Sequence, residues 1–267
     1  MIRKLIITGV AALIAATAAG ATSNAQAASA VLWSANTNLS PQQNFPELQT
    51  LPGKITVAND PLGKYGPSFR YETWQNPNGS KARCESTGLL QPNGQPLLLD
   101  NSRVGQTLYL GWRTLWDPMP TQKGAWLSLF QLHIEGAPAR QPQAGPLVLR
   151  TLGDGILHLQ LTRPNGSSTD IWTAPLSLNK WHTFVVGFKL SRTASGASGG
   201  WVSFWYEGKQ QKLSNGSTVY PAATLWGMED HVKWGVYRSG ANKTGHAVEY
   251  MNAGKLGTTY AAVAPIG

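Results

Sequence analysis

Three short stretches of the 267-residue chain each carry two polar side chains that are two or four residues apart. The pairs are Arg83 with Glu85, Gln131 with His133, and Lys233 with Tyr237. In a β-strand, alternate side chains project from the same face, so each pair would point to one side of its strand. If the three strands lie side by side in a sheet, the six side chains form one polar patch. We predict such a patch, on the floor of an open cleft.

This combination of side chains suits a β-elimination next to a carboxylate. In a uronic acid the reaction removes the proton on C5 and expels the glycosidic oxygen on C4, while negative charge develops on the carboxylate. The amide of Gln131 and the guanidinium of Arg83 can stabilise that charge. His133 and Tyr237 can take and donate protons, and positive charge from Arg83 and Lys233 would assist a tyrosine that acts as the base.

Each pair taken alone has a simpler interpretation. An Arg and a Glu on one strand face often form a surface ion pair, and K-x-G-x-Y is common where another backbone approaches a strand. The prediction of a site therefore depends on all three pairs occurring together. The remaining histidines are interpreted as structural or surface residues: His158, His182, His231 and His246.

The segment Ala125–Glu135, AWLSLFQLHIE, is the most informative of the predicted strands. Strict alternation places Trp126, Ser128, Phe130, Leu132 and Ile134 on a core-facing side. It places Leu127, Leu129, Gln131, His133 and Glu135 on the other side. Glu135 has no carboxylate two residues away and is not expected to take part in catalysis.

More than a dozen short alternating or apolar segments, separated by frequent turn signals, indicate an all-β sandwich. No repeat of fixed period and no linker is visible, so residues 31–267 are predicted to form one domain. We expect Asn36–Pro52 to be a loop, and Ala222–Asp230 to be the one helical or irregular connection. His246–Asn252 and Leu256–Ala261 are predicted as two closing strands, and Gly136–Gly145 and Ser191–Gly200 as lids or surface loops.

The first 30 residues have the pattern of a secretory signal peptide. Arg3 and Lys4 precede an apolar run, and small residues that fit A-x-A cleavage sites follow it. The run is shorter than the roughly 20 residues of a membrane-spanning helix, so no membrane attachment is expected after cleavage. We therefore predict a secreted, extracellular protein, and we expect a monomer.

The formal net charge is +9, or +7 once Arg3 and Lys4 are removed. Such an excess on a secreted protein suggests a polyanionic partner, for which we predict an anionic polysaccharide. The basic residues are scattered without a run of four, which argues against a nucleic-acid partner. Eleven Trp and eight Tyr fit a carbohydrate-active domain, although most of the Trp are expected in the core.

Cys84 is the single cysteine, so an intramolecular disulfide and a cysteine-based zinc site are excluded. There is no dense acidic loop of EF-hand type. We expect no required cofactor and no catalytic metal, and the sequence leaves a structural Ca²⁺ open.

Three motifs resemble those of β-jelly-roll polysaccharide lyases, in the same order along the chain. They are ARCES at Ala82–Ser86, FQLH at Phe130–His133 and VKWGVYR at Val232–Arg238. The corresponding family motifs have the forms R-S/T-E-L, Q-I/V-H and Y-x-K-x-G-I/V-Y. The stretch WHTFVVGFKL…GGWVSFWYEGK is also similar to a hairpin of heparinase-I-like and laminin-G-like sandwiches. The resemblance implies a concanavalin A-like β-jelly-roll of two antiparallel sheets with a concave cleft.

The resemblance also implies residue roles. Gln131 would neutralise the carboxylate, Arg83 would bind it, and His133 and Tyr237 would serve in proton transfer or charge neutralisation. Which of the last two is the base depends on the stereochemistry at C5. We expect Lys233, Glu85 and Arg113 to contribute to substrate binding.

The chain departs from the family pattern at several positions. Cys84 replaces the usual Ser or Thr, Ser86 replaces Leu, and the last motif ends in Tyr237 and Arg238 instead of Tyr-Asn-Gln. The end of the last motif points away from the alginate lyases and towards the glucuronan or heparinase-like branch.

Two other functions remain open. A retaining glycoside hydrolase on the same sandwich needs paired carboxylates about 5–5.5 Å apart, and no E-x-D-x-E-like spacing occurs here, since Glu229 and Asp230 are adjacent. A non-catalytic laminin-G or lectin-like carbohydrate-binding protein would keep the fold but would not need Gln131, His133 and Tyr237 together.

Overall fold

The computed structural model describes residues 30–120, 122–241 and 245–266. Apart from Ala30, the predicted signal peptide lies outside the described residues. No helix among these residues is long and apolar enough to cross a membrane.

The described residues form seventeen strands and one short α-helix, with 3-10 turns at Pro41–Gln43 and Asn101–Arg103. In chain order the strands are β1 Val31–Ser34, β2 Glu47–Leu51, β3 Gly53–Ala58, β4 Ser68–Thr73, β5 Ala82–Thr87, β6 Leu99–Asp100, β7 Thr107–Trp116, β8 Leu127–Glu135, β9 Leu147–Thr151, β10 Ile156–Thr162, β11 Ser168–Pro175, β12 Trp181–Lys189, β13 Trp201–Tyr206, β14 Lys209–Gln210, β15 Tyr220–Pro221, β16 Glu229–Arg238 and β17 Ala247–Gly257. The helix, α1, is Tyr260–Val263.

The strands make two antiparallel sheets. Sheet A has the order β14-β13-β12-β7-β17-β4-β3, with β1 paired to β17 and β15 paired to β13. Sheet B has the order β11-β10-β9-β8-β16-β5-β2, with β6 paired to β16. The prediction of an all-β sandwich of two antiparallel sheets is confirmed.

Aromatic side chains from both sheets fill the space between them. Trp112 of sheet A stacks on Phe130 of sheet B with ring centroids 4.4 Å apart, and on Phe184 at 5.3 Å. Trp112 and Trp234 are fully buried, and each contributes about 2–3 kcal/mol through removal of its apolar surface from water. This core fixes β8 and β16 against sheet A, so their polar side chains project from the opposite, outer face of sheet B.

Strict alternation along β8 is interrupted by a bulge. Ser128 pairs with Arg150, but Phe130 pairs with Leu149, so Leu129 is an extra residue relative to β9. Leu129 and Phe130 are therefore both buried in the core. The predicted alternation holds from Phe130 to Glu135, and it is wrong before the bulge, where Ser128 joins the outer face.

Other local predictions also needed correction. The predicted loop Asn36–Pro52 contains β2, which forms the edge of sheet B. The two predicted closing strands are the single strand β17 followed by α1, whose first turn is capped by the side chain of Thr259. Of the two alternatives predicted for Ala222–Asp230, the irregular connection is confirmed: the segment has no helix, and β16 begins at Glu229.

Candidate active site

The three predicted pairs lie on adjacent strands of sheet B, in the order β8-β16-β5. Lys233 on β16 is opposite Gln131 on β8, and Tyr237 on β16 is opposite Arg83 on β5. Residues directly opposite in an antiparallel pair project from the same face. We call this outer surface of sheet B the site face.

The register between β16 and β8 shifts between Trp234 and Tyr237. Gly235 sits at this shift with a φ of +113°, a backbone conformation that L side chains rarely adopt. A Cβ at this position would also collide with the carbonyl oxygen of Cys84 on β5. Glycine therefore allows β16 to pack closely on β5, where Tyr237 is opposite Arg83 in a regular register, and the shift in register against β8 sets Tyr237 opposite Ser128.

The carboxyl group of Glu85 holds the centre of the site together. Its side chain is 1% exposed, accepts a hydrogen bond from Nε2 of Gln131 at 2.6 Å, and lies 3.1 Å from Nε of Arg83. Burial raises the pKa of Glu85, while the charges of Arg83 and Lys233 oppose that rise. Because Glu85 accepts from one N–H of Gln131, the second N–H of that amide is free to bind a substrate oxygen.

Tyr237 is enclosed by cations and by a tryptophan. The guanidinium carbon of Arg83 lies 4.0 Å from the centroid of the tyrosine ring, and Nζ of Lys81 lies 5.8 Å from it. The ring of Trp126 meets the ring of Tyr237 edge-on with centroids 4.9 Å apart. Arg83 also donates to Oε1 of Gln49 at 2.9 Å. These contacts fix the ring and concentrate positive charge beside it.

A groove of about 360 Å³ opens at this end of the site face. It is bordered by the β2 segment Gln49, Thr50 and Leu51 and by Lys81, with Arg83 and Tyr237 at its wall. Leu51 is 72% exposed and offers an apolar surface beside the two cations. The groove can therefore bind a molecule that has both an anionic group and an apolar face.

At the other end of the site face, His133 belongs to a cluster of histidines and carboxylates. Its Nδ1 lies 3.1 Å from Oε1 of Glu135, and it is opposite His231 across the β8–β16 pair. Oε1 of Glu135 also lies 3.7 Å from Nδ1 of His231 and 3.6 Å from Nζ of Lys233. Nε2 of His231 lies 3.0 Å from Glu229.

The surroundings of His133 favour its neutral form. Burial is the largest cause that lowers the pKa of His133, and together with the positive charges of Lys233 and Arg83 and the neighbouring His231 it brings this pKa to about 3. A neutral imidazole keeps one ring nitrogen as a proton acceptor. His133 is thus suited to accept a proton or to bind a hydroxyl group, and not to act as a cation.

The sheet register separates the two proton-transfer candidates. Tyr237 and Arg83 lie at the level of Ser128, whereas His133 lies at the level of His231. Gln131, at the level of Lys233, lies between these two levels. A sugar ring over Gln131 would therefore have the phenol on one side and the imidazole on the other.

A family model described as polysaccharide lyase matches residues 35–253, which include the whole site face. The chain belongs to this polysaccharide lyase family. It is therefore an enzyme that cleaves polysaccharides as a lyase. A search of curated protein sequences found no match.

Solved structures share the fold of this lyase. One is an endo-β-1,4-glucuronan lyase from the fungus Trichoderma reesei, with a TM-score of 0.61, 13% sequence identity and coverage of 83% of this chain and 94% of that chain. Another is the alginate lyase vAL-1 from a Chlorella virus, with a TM-score of 0.56, 10% identity and coverage of 86% of this chain and 100% of that chain. The prediction of a polysaccharide-lyase jelly-roll is confirmed.

Arg113 does not lie on the site face of this lyase. Its prediction as a substrate-binding residue of this site is therefore wrong. Arg113 is on β7 in sheet A, and its guanidinium carbon lies 4.1 Å from the ring centroid of Tyr65. Its neighbours Trp112 and Thr114 face the sandwich interior, so Arg113 projects from the far side of sheet A. The sequence shows which residues share a face, but not which sheet carries β7.

Several residues near the centre of the site face of the lyase were not among the predicted site residues. They include Gln49, Lys81, Trp126, Glu135 and His231. His231 precedes Lys233 by two residues, so extending the period-two pattern backwards would have found it. Trp126 is not predicted because the bulge in β8 changes the face on which it lies. Gln49 is not predicted because β2 lies in a segment that the sequence indicates as a loop.

Within the described ranges, no group of three or more His, Cys, Asp or Glu side chains is placed to hold a metal ion. The His133 and His231 cluster contacts carboxylates and Lys233 instead.

Proposed function

We propose that this lyase is secreted and cleaves a uronic-acid-containing anionic polysaccharide by β-elimination. The observation that carries the proposal is the arrangement on the site face. Arg83 and Gln131 are both held by the buried carboxyl group of Glu85, with Tyr237 on one side and His133 on the other. A neutral glycan has no carboxylate group that these two donors could bind.

The donors would act on the carboxylate of the sugar ring that loses its proton. Removal of the C5 proton builds negative charge on this carboxylate, and preorganised donors stabilise that charge more in the transition state than in the ground state. Gln131 would donate its free N–H, and Arg83 would supply the positive charge. Glu85 acts as a positioning residue for both, since one oxygen accepts from Gln131 and the other faces Arg83.

Proton transfer would be carried out by Tyr237, His133 or both. The C5–H bond breaks as the proton moves to a base, the electron pair forms the C4–C5 double bond, and the C4–O bond breaks. The departing glycosidic oxygen takes a proton from an acid. Tyr237 can perform both steps when C5–H and O4 lie on the same side of the ring. His133, which is neutral and lies on the other side, can be the base when they lie on opposite sides.

The positive charge of the chain supports an anionic substrate, and so does its similarity to two solved lyase structures. The net charge of +9 and the cations Lys81, Arg83 and Lys233 on the site face favour a polyanion. The two similar structures are named for glucuronan and alginate lyases, so these polymers are the first substrates to test.

The test is incubation of the purified protein with glucuronan, alginate, heparin and heparan sulfate. Formation of the C4–C5 double bond, conjugated with the carboxylate, is followed by ultraviolet absorbance. Release of unsaturated oligosaccharides supports the proposal. New reducing ends without the double bond would indicate hydrolysis, and binding without any cleavage would indicate a lectin-like protein; both outcomes would reject the β-elimination.

Secretion is tested separately. The proposal rests on the signal-like sequence before Val31. When the full-length chain is expressed in a bacterium, we expect the mature protein outside the cytoplasm, with an N-terminus after Ala27 or Ala30. Recovery of the intact chain from the cytoplasm would reject this part.

A further inference from the structure

The site face continues beyond the cluster around Tyr237, along a row that crosses the strands of sheet B. Arg83 is opposite Tyr237, Tyr237 is opposite Ser128, Ser128 is opposite Arg150, and Arg150 is opposite His158. These residues lie on five adjacent strands, β5, β16, β8, β9 and β10, and directly opposite residues share a face. The row is therefore continuous on the surface that carries the site.

Arg150 lies on the opposite side of Tyr237 from the groove. On β9, Leu147 and Leu149 are buried in the core, so Arg150 between Leu149 and Thr151 projects to the site face and is half-buried. Arg150 and Arg83 are three strand spacings apart, a distance of about 14 Å. This is about the length of three linked pyranose rings.

The guanidinium of Arg150 makes no hydrogen bond and no ion pair with any other described residue, and its Nε is buried without a partner. By contrast, Arg83 is paired with Glu85. Asp170 is an anion whose charge acts on Arg150. Both oxygens of Asp170 are engaged elsewhere, by Nδ1 of His158 at 3.0 Å and Nε2 of Gln160 at 3.2 Å.

A half-buried, unpaired guanidinium is costly unless an anion binds to it. We propose that Arg150 forms a distal subsite that binds the carboxylate of a uronate residue about two to three rings from the scissile bond. The polymer then runs across the strands, from the groove beside Gln49 and Leu51, over Tyr237, to Arg150. This inference rests on the proposed function, because it needs a polyanion with one carboxylate on each of several linked rings.

The test uses oligouronates of increasing length, prepared from the polymer that the wild-type lyase cleaves best. The variant is Arg150→Gln, and the matched control is Lys209→Gln, which removes one positive charge from the exposed strand β14 of sheet A. For Arg150→Gln we expect kcat/KM to fall about tenfold on long oligomers and on the polymer, because one charge-assisted contact is lost. It should stay within about twofold of wild type on the shortest cleaved oligomers, which do not reach Arg150.

Arg150→Lys separates loss of charge from loss of shape. It keeps the positive charge but not the planar fork, so its loss on long substrates should be intermediate, and it also serves if Arg150→Gln folds poorly. An equal loss at every length, or no loss at any length, would overturn the inference. An effect of Lys209→Gln equal to that of Arg150→Gln would also overturn it, because it would show a general charge effect.

Failure of the proposed function can be told apart from failure of this inference. If the wild-type protein forms no unsaturated product from any polyuronate, the β-elimination is rejected, and calorimetric binding of chemically prepared glucuronan and alginate oligomers of the same lengths decides the role of Arg150. Weaker binding of long oligomers by Arg150→Gln than by wild type supports the subsite. Equal binding by the two proteins, or no binding by either, overturns it.

Discussion

The guanidinium of Arg83 lies over the ring of Tyr237, with its central carbon 4.0 Å from the ring centroid. Arg83 also faces Glu85 at 3.1 Å, and Glu85 in turn holds Gln131. One arginine therefore links the tyrosine to the donors that would bind the substrate carboxylate. Its positive charge is placed where a phenolate would form, and it would stabilise that anion without any rearrangement.

The phenolic hydroxyl of Tyr237 is the first group to test. Tyr237→Phe removes one oxygen and keeps the ring that packs on Trp126 and Arg83. We expect kcat to fall by about 10²–10⁴-fold, as for loss of a proton-transfer group, with little change in melting temperature. Steady-state formation of unsaturated product measures the first quantity, and thermal denaturation measures the second.

The control for this variant is Tyr109→Phe, which removes a hydroxyl from β7 on sheet A and should leave kcat unchanged. Wild-type activity in Tyr237→Phe would assign both proton transfers to other groups, with His133 the next to examine. A large loss in Tyr109→Phe would show that removing any tyrosine hydroxyl perturbs the fold.

Arg83 has a binding role and a structural role, and two variants separate them. In Arg83→Ala we expect KM to rise at least about tenfold, because Arg83 binds the acid group in both ground and transition states. We also expect the melting temperature to fall by roughly 4–8 °C, corresponding to about 2 kcal/mol, because the buried carboxyl group of Glu85 loses its countercharge.

The double variant Arg83→Ala with Glu85→Gln should recover most of the melting temperature and none of the KM. The neutral amide needs no countercharge and can still accept from Gln131 through its oxygen. An unchanged KM in Arg83→Ala would remove Arg83 from carboxylate binding. A melting temperature that Glu85→Gln does not restore would show that the loss comes from the contact with Tyr237.

The pairs that make up the site could be predicted because their geometry is local. Arg83 with Glu85, Gln131 with His133, and Lys233 with Tyr237 each share a face through alternation alone, which any regular strand preserves. That the three strands are neighbours depends on long-range pairing. The order of the motifs suggested this pairing through a family resemblance, whereas composition and periodicity indicated only a sandwich.

What the sequence did not show depends on irregularities and on tertiary structure. The bulge at Leu129 reverses the faces before it and so brings Trp126 to Tyr237. Arg113 alternates correctly on its strand, but β7 belongs to sheet A. Glu135 has no carboxylate two residues away, and the sequence therefore does not indicate a role for it. In the structure its side chain contacts His133, His231 and Lys233.

The low pKa of His133, about 3, predicts an unusual acid limb in the pH profile. An enzyme whose base is an ordinary histidine loses activity below about pH 6.5, because the base becomes protonated. His133 stays neutral well below that pH. We therefore expect no fall in kcat/KM with a pKa near 6.5 when the pH is lowered from about 7 to about 5. The measurement is kcat/KM across this range. Lys233→Met removes one of the charges that lower the pKa of His133 and should move the acid limb upwards.

His246→Gln is the control for this profile, since His246 is paired with Glu72 of sheet A. It should leave the profile unchanged. A wild-type acid limb near pH 6.5 that disappears in His133→Ala would show that His133 titrates normally, contrary to its environment.

Glu135 is expected to position His133, since its Oε1 lies 3.1 Å from Nδ1 of the imidazole. A carboxylate at Nδ1 favours the tautomer with the proton on that nitrogen and leaves Nε2 as the acceptor. In Glu135→Gln we expect kcat to fall about tenfold with KM nearly unchanged, and the imidazole nitrogen signals in NMR to show a mixture of tautomers. An unchanged tautomer with reduced kcat would assign the loss to Lys233, which also contacts Glu135.

A carboxyl group in the sandwich interior should make stability depend on pH. Glu249 is fully buried and accepts a hydrogen bond from Thr114 at 2.7 Å, and burial raises its pKa to about 8 from 4.5. Because the folded state holds this proton more tightly than the unfolded state, the stabilisation is complete below about pH 4.5 and is lost as the pH rises to about 8, at up to 1.4 kcal/mol per pH unit. Glu249→Gln keeps an acceptor for Thr114 and cannot ionise, so its melting temperature should gain on that of wild type steadily from about pH 5 to pH 8.

The matched control is Glu72→Gln, which changes a carboxyl group of opposite behaviour. Arg70 at 2.6 Å lowers the pKa of Glu72 to about 2, so its stabilisation is present above its unfolded pKa of 4.5 and is lost only as the pH falls towards 2. Glu72 also contacts His246 at 2.9 Å, so the control is made in a His246→Gln background; there, from about pH 5 to pH 8, Glu72→Gln should differ from its parent by a constant amount. A constant difference for Glu249→Gln as well would mean that Glu249 is already ionised in the folded protein at pH 5, against the effect of its burial.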